Sequence, residues 1–227
     1  MKKFLLLTSS ALMLVAPANA ATTVYADATN FNGALGTSVV DDYENAGYVF
    51  FQDDAAMSAV VGETRYETTG SPNSNIVFDA GGNQLYCAGC NGSFNLFFDT
   101  TSVGTSGGVF GVGFDFFNSE PLRNFDALVT FGDGSTQLYD LALSPISRLD
   151  FFGLTSDLLI SSIAFGPDGE TSSSGSFGID NLTIGNMGAV PEPATWAFMI
   201  FGFGAVGGAL RSNRRRQTKT KTTVSYA

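Results

Sequence analysis

Histidine is absent from the 227 residues of this chain, and that removes more chemistry than any other feature of its composition. A serine nucleophile has no imidazole to take its proton, so Gly104-Thr105-Ser106-Gly107-Gly108, which matches the GxSxG elbow in letters, reads as a loop. Zinc sites of the His or Cys/His kind are excluded with it, since the chain has only two cysteines. There is one tryptophan, Trp196, near the C-terminus, so the usual stacking platforms for sugars are scarce elsewhere. Basic residues are nearly missing from the long middle region. The 20 carboxylates and 3 arginines of residues 21–188 leave it a net charge of −17, which disfavours nucleic acid and anionic lipid as partners.

Both ends of the chain are legible as transport segments. Lys2-Lys3, the apolar run Phe4 to Val15 and Ala18-Asn19-Ala20 have the form of a secretory signal peptide over residues 1–20, cleaved before Ala21. Near the other end, Ala194 to Leu210 carries no charge. As a helix it would span about 26 Å, slightly less than a hydrocarbon core of about 30 Å, with Trp196 at one interface. Pro193 fits a first helical turn and Glu192 the positive end of the helix dipole. Arg211 and Arg214-Arg215-Arg216 close the run and, by the positive-inside preference, stay cytoplasmic. Gly204 and Gly208 have the GxxxG spacing of some paired membrane helices.

Pro191-Glu192-Pro193, then Trp196-Ala197, a glycine-rich apolar helix and the arginine cluster resemble, in this order, the PEP-CTERM family in its PEPxxWA variant. The resemblance covers residues 189–216; Gln217 to Ala227 form a short basic polar tail beyond the usual end of such segments. It implies a sorting signal of Gram-negative bacteria that make exopolysaccharide. An exosortase would process it, and the protein would pass from an inner-membrane anchor to the cell surface or matrix.

Residues 21–188 are one domain's worth of chain, long enough to bury a core unaided. Their apolar pattern has a period of two. Phe94, Leu96 and Phe98 alternate with Asn95, Phe97 and Asp99, and Phe110, Val112, Phe114 and Phe116 define one face of the next strand. Phe125 to Phe131, Thr136 to Leu143, Leu159 to Phe165 and Phe177 to Ile184 continue the series, separated by Gly, Asn, Asp, Ser and Pro clusters. Short helices are expected only at Asp53 to Val61 and near Leu154–Leu158. The expected fold is all-β, a jelly-roll-like antiparallel sandwich. Gly113-Phe114-Asp115, Phe151-Phe152-Gly153 and Ile179-Asp180-Asn181-Leu182 are similar to short patterns in β-sandwich ectodomains often attached to this kind of tail.

Cys87 and Cys90, in an exported chain, form a local disulfide by expectation; a redox motif would need a helix where a strand pattern follows. A structural Ca²⁺ held by acids of the first and last strands would use Asp42 or Glu44 with Asp180, whose place on the face of Leu182 and Ile184 calls for a cation or an arginine. Glycan contacts would come from tyrosines, with Tyr43, Tyr48 and Tyr86 as the positions to mutate. Carboxylate pairs such as Asp53-Asp54 would suit glycoside hydrolysis only if they faced each other across a sugar. The function that follows is non-catalytic: a structural or adhesive protein of the surface or exopolysaccharide matrix. A carbohydrate-binding module with structural calcium is the alternative, and a secreted hydrolase the third reading.

Overall fold

A computed structural model describes residues 21–70, 72–88, 93–118, 125–141, 149–167, 177–188, 193–217 and 225. The signal segment 1–20, Cys90, Pro191, Glu192 and all but Gln217 and Ser225 of the 217–227 tail lie outside them. The chain divides into two compact units, Met1–Gly188 and Ala189–Ala227.

In the first unit the elements run β1 (Thr22–Tyr25), α1 (Ala28–Ala34), β2 (Leu35–Asp41), α2 (Asp54–Val61), β3 (Arg65–Thr68), β4 (Asn75–Asp79), β5 (Gln84–Ala88) and β6 (Phe94–Phe97). They continue with β7 (Val109–Asn118), β8 (Phe125–Phe131), β9 (Thr136–Leu141), β10 (Asp150–Pro167) and β11 (Phe177–Met187). Every strand pairing is antiparallel, as the two-residue period implies.

One long strand builds two layers. The first part of β10 pairs with β1 and β7, with Phe152 opposite Phe114. Its second part pairs with β6 and β8, so that Ile163 lies between Leu96 and Val129. The change of layer falls at Leu159, whose φ of 61° bends the strand just before a register shift at Ile160/Ser162. The expected helix near Leu154–Leu158 is therefore corrected. Leu154 is fully buried from a strand, and the run from Leu154 to Leu159 belongs to one strand that serves both layers. The helix expected at Asp53 to Val61 is present as α2, capped by the Asp53 carboxylate on Ala56 N–H at 2.7 Å and ended by Gly62 at φ 79°.

Phenylalanines fill the space between the layers. Phe94 stacks on Phe165 within one layer at 4.6 Å, and Phe125 of that layer stacks on Phe177 of the other at 4.7 Å. Phe114 meets Phe165 edge to face at 5.2 Å. Each such ring, fully buried, contributes on the order of 1.5–3 kcal/mol relative to an exposed one. This is the face-to-face packing expected of a sandwich, made by a single sheet that folds across itself through β10.

The glycines alternating with those phenylalanines have their own task. Helix α1, which the sequence did not announce, lays Phe31 on the outer side of β7 and β10, and Phe31 is fully buried there. A Cβ added at Gly113 or Gly153 would stand 2.6 or 2.8 Å from that ring. Tyr25 and Phe151 close it in at 5.7 and 5.6 Å. The Gly-Phe patterns of β7 and β10 thus give a core on one face and a socket on the other. Gly153→Val is expected to expel Phe31 and cost about 1–3 kcal/mol by overpacking, read as a lower melting temperature; an unchanged melting temperature would show that the socket holds nothing.

The described residues of the second unit form the helix α3 (Pro193–Gln217), with Ser225 beyond it.

Candidate functional site

The residues singled out by sequence converge on the end of β2, in two different environments. Asp41, the last residue of β2, points inward and is only 6% exposed. Its carboxylate accepts hydrogen bonds from the hydroxyls of Tyr48 and Tyr66, the latter at 3.0 Å, and from the Tyr43 N–H at 3.2 Å. The Tyr43 and Tyr66 hydroxyls share a further hydrogen bond at 3.1 Å, and the Tyr43 ring stacks on Tyr86 at 5.6 Å. Tyr86 donates to Asn75 Oδ1 at 2.8 Å, and Asn75 Nδ2 donates to Asp54 Oδ1 at 2.8 Å. Two hydrogen-bonded groups, one around Asp41 and one running from Tyr86 through Asn75 to Asp54, therefore meet in the aromatic core at the Tyr43–Tyr86 stack.

Burial pushes the Asp41 carboxyl above its ordinary value, outweighing the hydrogen bonds that favour its ionised form. Burial likewise raises Tyr43, Tyr66 and Tyr86 well above the usual phenol range, so these hydroxyls remain donors at any ordinary pH. Beside Asp41, Tyr48, Met57 and Tyr66 lies a cavity of about 10 Å³, at the lower limit for one water.

This geometry corrects the glycan assignment. Tyr43 and Tyr86 are fully buried and Tyr48 is 7% exposed, so none offers a ring face to a sugar. Tyrosine is amphipathic, and here the hydroxyl is satisfied internally by a carboxylate and an amide.

The calcium set is brought together only in part. Glu44 Oε1 accepts from Gln84 N–H at 2.7 Å, and Asp180 Oδ2 accepts from the Asn83 side chain at 2.8 Å, so both acids meet the turn between β4 and β5. Asp42 instead accepts from Glu44 N–H, at 3.1 Å. Asp180 does not share the face of Leu182 and Ile184. Asn181, at φ 50°, forms a bulge that resets the alternation, so Phe177 and Ile179 before it and Leu182 and Ile184 after it all face the core. Asp180 lies on the other side, opposite Asp115, and burial raises its carboxyl above the ordinary value. Its second oxygen accepts Asn181 N–H at 2.7 Å, while Asn181 Nδ2 donates to Asp115 at 2.8 Å. Amide donors thus do the work assigned to a cation, and among the described residues no group of three or more His, Cys, Asp or Glu could hold a metal ion.

Ser106 sits in a tight turn, with Thr105 and Gly108 exchanging backbone hydrogen bonds of 2.9 Å, and no strand-to-helix elbow surrounds it. Cys87 is disulfide-bonded and buried at the end of β5; Cys90, the other cysteine of the chain, is outside the described residues.

Of the sorting residues, Pro193, Trp196, Ala197, Arg214, Arg215 and Arg216 lie on α3. Phe198, Met199, Ile200 and Phe201 are successive residues of that helix and all are exposed, so its apolar surface runs around the axis and not along one stripe. Among the described residues no helix is long and apolar enough to cross a membrane; the uncharged run Ala194–Leu210 falls a few ångströms short of a full hydrocarbon core.

Residues 189–216 match the family model of the PEP-CTERM protein-sorting motif. None of the curated proteins matches the chain. Among solved structures it is similar to family 29 carbohydrate binding modules. A CBM29-2 mutant made to probe ligand recognition by that family is 16% identical, with 70% of this chain and 99% of that one covered at a TM-score of 0.38. A family 29 module is 19% identical, with 58% and 96% covered at a TM-score of 0.31.

Proposed function

We propose that this is an exported protein, anchored in the inner membrane by its C-terminal segment and processed there by an exosortase. Its acidic β-body then works without catalysis at the cell surface or in the exopolysaccharide matrix, as a structural or adhesive component in contact with polysaccharide. The observation that carries this reading is the PEP-CTERM motif at residues 189–216, set behind a body that opens with a secretory signal pattern. The all-round apolar surface of α3 supports an apolar surrounding, and the arginines at its end support a cytoplasmic stop. A run of about 26 Å is accommodated by modest local thinning of the bilayer. The absence of histidine, the tight-turn setting of Ser106 and the satisfied carboxylates of the β2 end support a non-catalytic body.

Topology reporters test the anchoring directly. A phosphatase active only outside the cytoplasm is expected to be active when fused after Gly188 and inactive when fused after Ala227. Activity at both positions would remove the membrane stop, and inactivity at both would remove export.

A further inference from the structure

The segment between β2 and α2, residues 42–53, is rooted in the core at both ends and yet holds its apolar middle out of it. Tyr43, at φ 56°, and Tyr48 plunge into the Asp41 cluster. Asn45 turns the chain between them, accepting from Gly47 N–H at 2.9 Å on its side chain and from Tyr48 N–H at 3.0 Å on its backbone. Gln52 is pinned by two backbone hydrogen bonds of 3.0 Å to Asn75. Between these anchors Val49, Phe50 and Phe51 are 54%, 69% and 57% exposed, the only run of three large apolar residues so exposed among the described residues of the body. A non-glycine residue in the left-handed region and two buried phenols are a costly way to support a solvent loop. They are a sound way to hold two phenyl rings at a fixed place.

We infer that the Val49–Phe51 tip is a contact site for a neutral polysaccharide, with the phenyl rings stacking on the C–H faces of its sugars. This rests on the reading that the body contacts polysaccharide, and names the surface that does so. Charge selects the class of ligand. Residues 41–54 contain no lysine or arginine, and of their five carboxylates Asp42, Glu44 and Asp53 are exposed, so an anionic polymer or an anionic lipid surface is repelled. A neutral, hydroxyl-rich chain carries no charge and meets no such repulsion. Size argues against a protein: three side chains fall far short of the roughly 800 Å² per partner of a stable protein interface. A small, weak site suits a protein presented in many copies on one surface, where linkage of contacts multiplies affinity. The phenols Tyr43 and Tyr48 are positioning residues for this tip and do not touch the ligand.

The test uses the full chain in phosphatidylcholine nanodiscs, run on native gels containing a neutral mannan, a neutral β-glucan or anionic alginate. A neutral polymer is expected to retard the protein, and the double variant Phe50→Ser/Phe51→Ser to bind it about tenfold or more weakly, the loss of roughly one good stacking contact. Its melting temperature should be kept, because both side chains are already in water. Equal retardation of the variant would overturn the tip while leaving polysaccharide binding in place. Retardation by alginate alone would overturn the charge argument and the tip together. No retardation by any polymer would overturn the polysaccharide reading itself. A fall from dimer to monomer size in the variant, without any effect on retardation, would show that a second copy of the chain occupies the site.

Discussion

Asp41→Ala is expected to lower the melting temperature of the body by roughly 6–12 °C at pH 5, the largest loss from any single side chain of the β2 end. The substitution leaves the hydroxyls of Tyr48 and Tyr66 and the Tyr43 N–H without their acceptor, inside the core. Each orphaned donor costs on the order of 1 kcal/mol or more, and for a domain of this size each kcal/mol corresponds to about 2–4 °C. The pH matters because Asp41 has no cationic partner among the described residues and sits above its ordinary value through burial. A carboxyl whose value is raised on folding contributes stability that is fully present below its unfolded value, near 3.8 here, and is lost as pH rises through the folded value. Asp180 has the same sign. Asp27 and Asp133, held low by hydrogen bonds from Asn30 and Ser135, have the opposite sign and act at more acid pH. Glu63 joins them, because the hydrogen bonds from Ser102 and Thr101 outweigh its burial. The wild-type melting temperature is therefore expected to rise as the pH is lowered from neutral towards the ordinary carboxylate value of 3.8, and to turn down only in stronger acid. Asp41→Asn, which keeps an acceptor and loses the charge, should flatten that rise. A melting temperature that falls steadily as the pH is lowered from neutral towards 3.8, or an Asn variant with the wild-type slope, would contradict this account of the cluster.

How much of this was open to a reader of the sequence depends on whether a local rule was enough. Val112, Phe114 and Phe116 alternate with small or acidic residues, and the strand they announce is β7, although at its start Val109 and not Phe110 is the core residue. Pro191 to Ala197 with the arginines behind them were legible for another reason, since several independent features had to coincide. What failed were positions where one residue changes the register. The bulge at Asn181 moves Asp180 to the opposite side, and nothing in Ile179-Asp180-Asn181-Leu182 says on which side of the step the alternation breaks. The β10 bend at Leu159 hides in a run of leucines that suits a helix as well as a strand serving two layers. Helix α1 is about two turns long, with only Phe31 buried, too short to show a period.

The tyrosines illustrate a different limit. Their place in the core depends on an acceptor, and Asp41 becomes that acceptor only once β2 and β3 are assembled. Val49-Phe50-Phe51, by contrast, carried a usable signal. It is an apolar trio inside a stretch that is otherwise acidic and turn-rich, belonging to no strand or helix pattern.

Loss of the exosortase is expected to have the largest effect of all, because it acts on every molecule at once. The body and the C-terminal segment are separate compact units, so a cut between them need not disturb the fold of the first. The mature chain should begin at Ala21 and, in cells with the enzyme, end near the Pro191-Glu192-Pro193 motif. Without it, the chain should keep its α3 residues and its arginine cluster and remain with the inner membrane. Intact mass of the native protein, taken with its cell fraction in paired strains that have and lack the exosortase, measures all of this at once. The account requires a truncated species at the surface or in the matrix of the first strain and a longer, membrane-held species in the second. One mass in one fraction from both strains would contradict it.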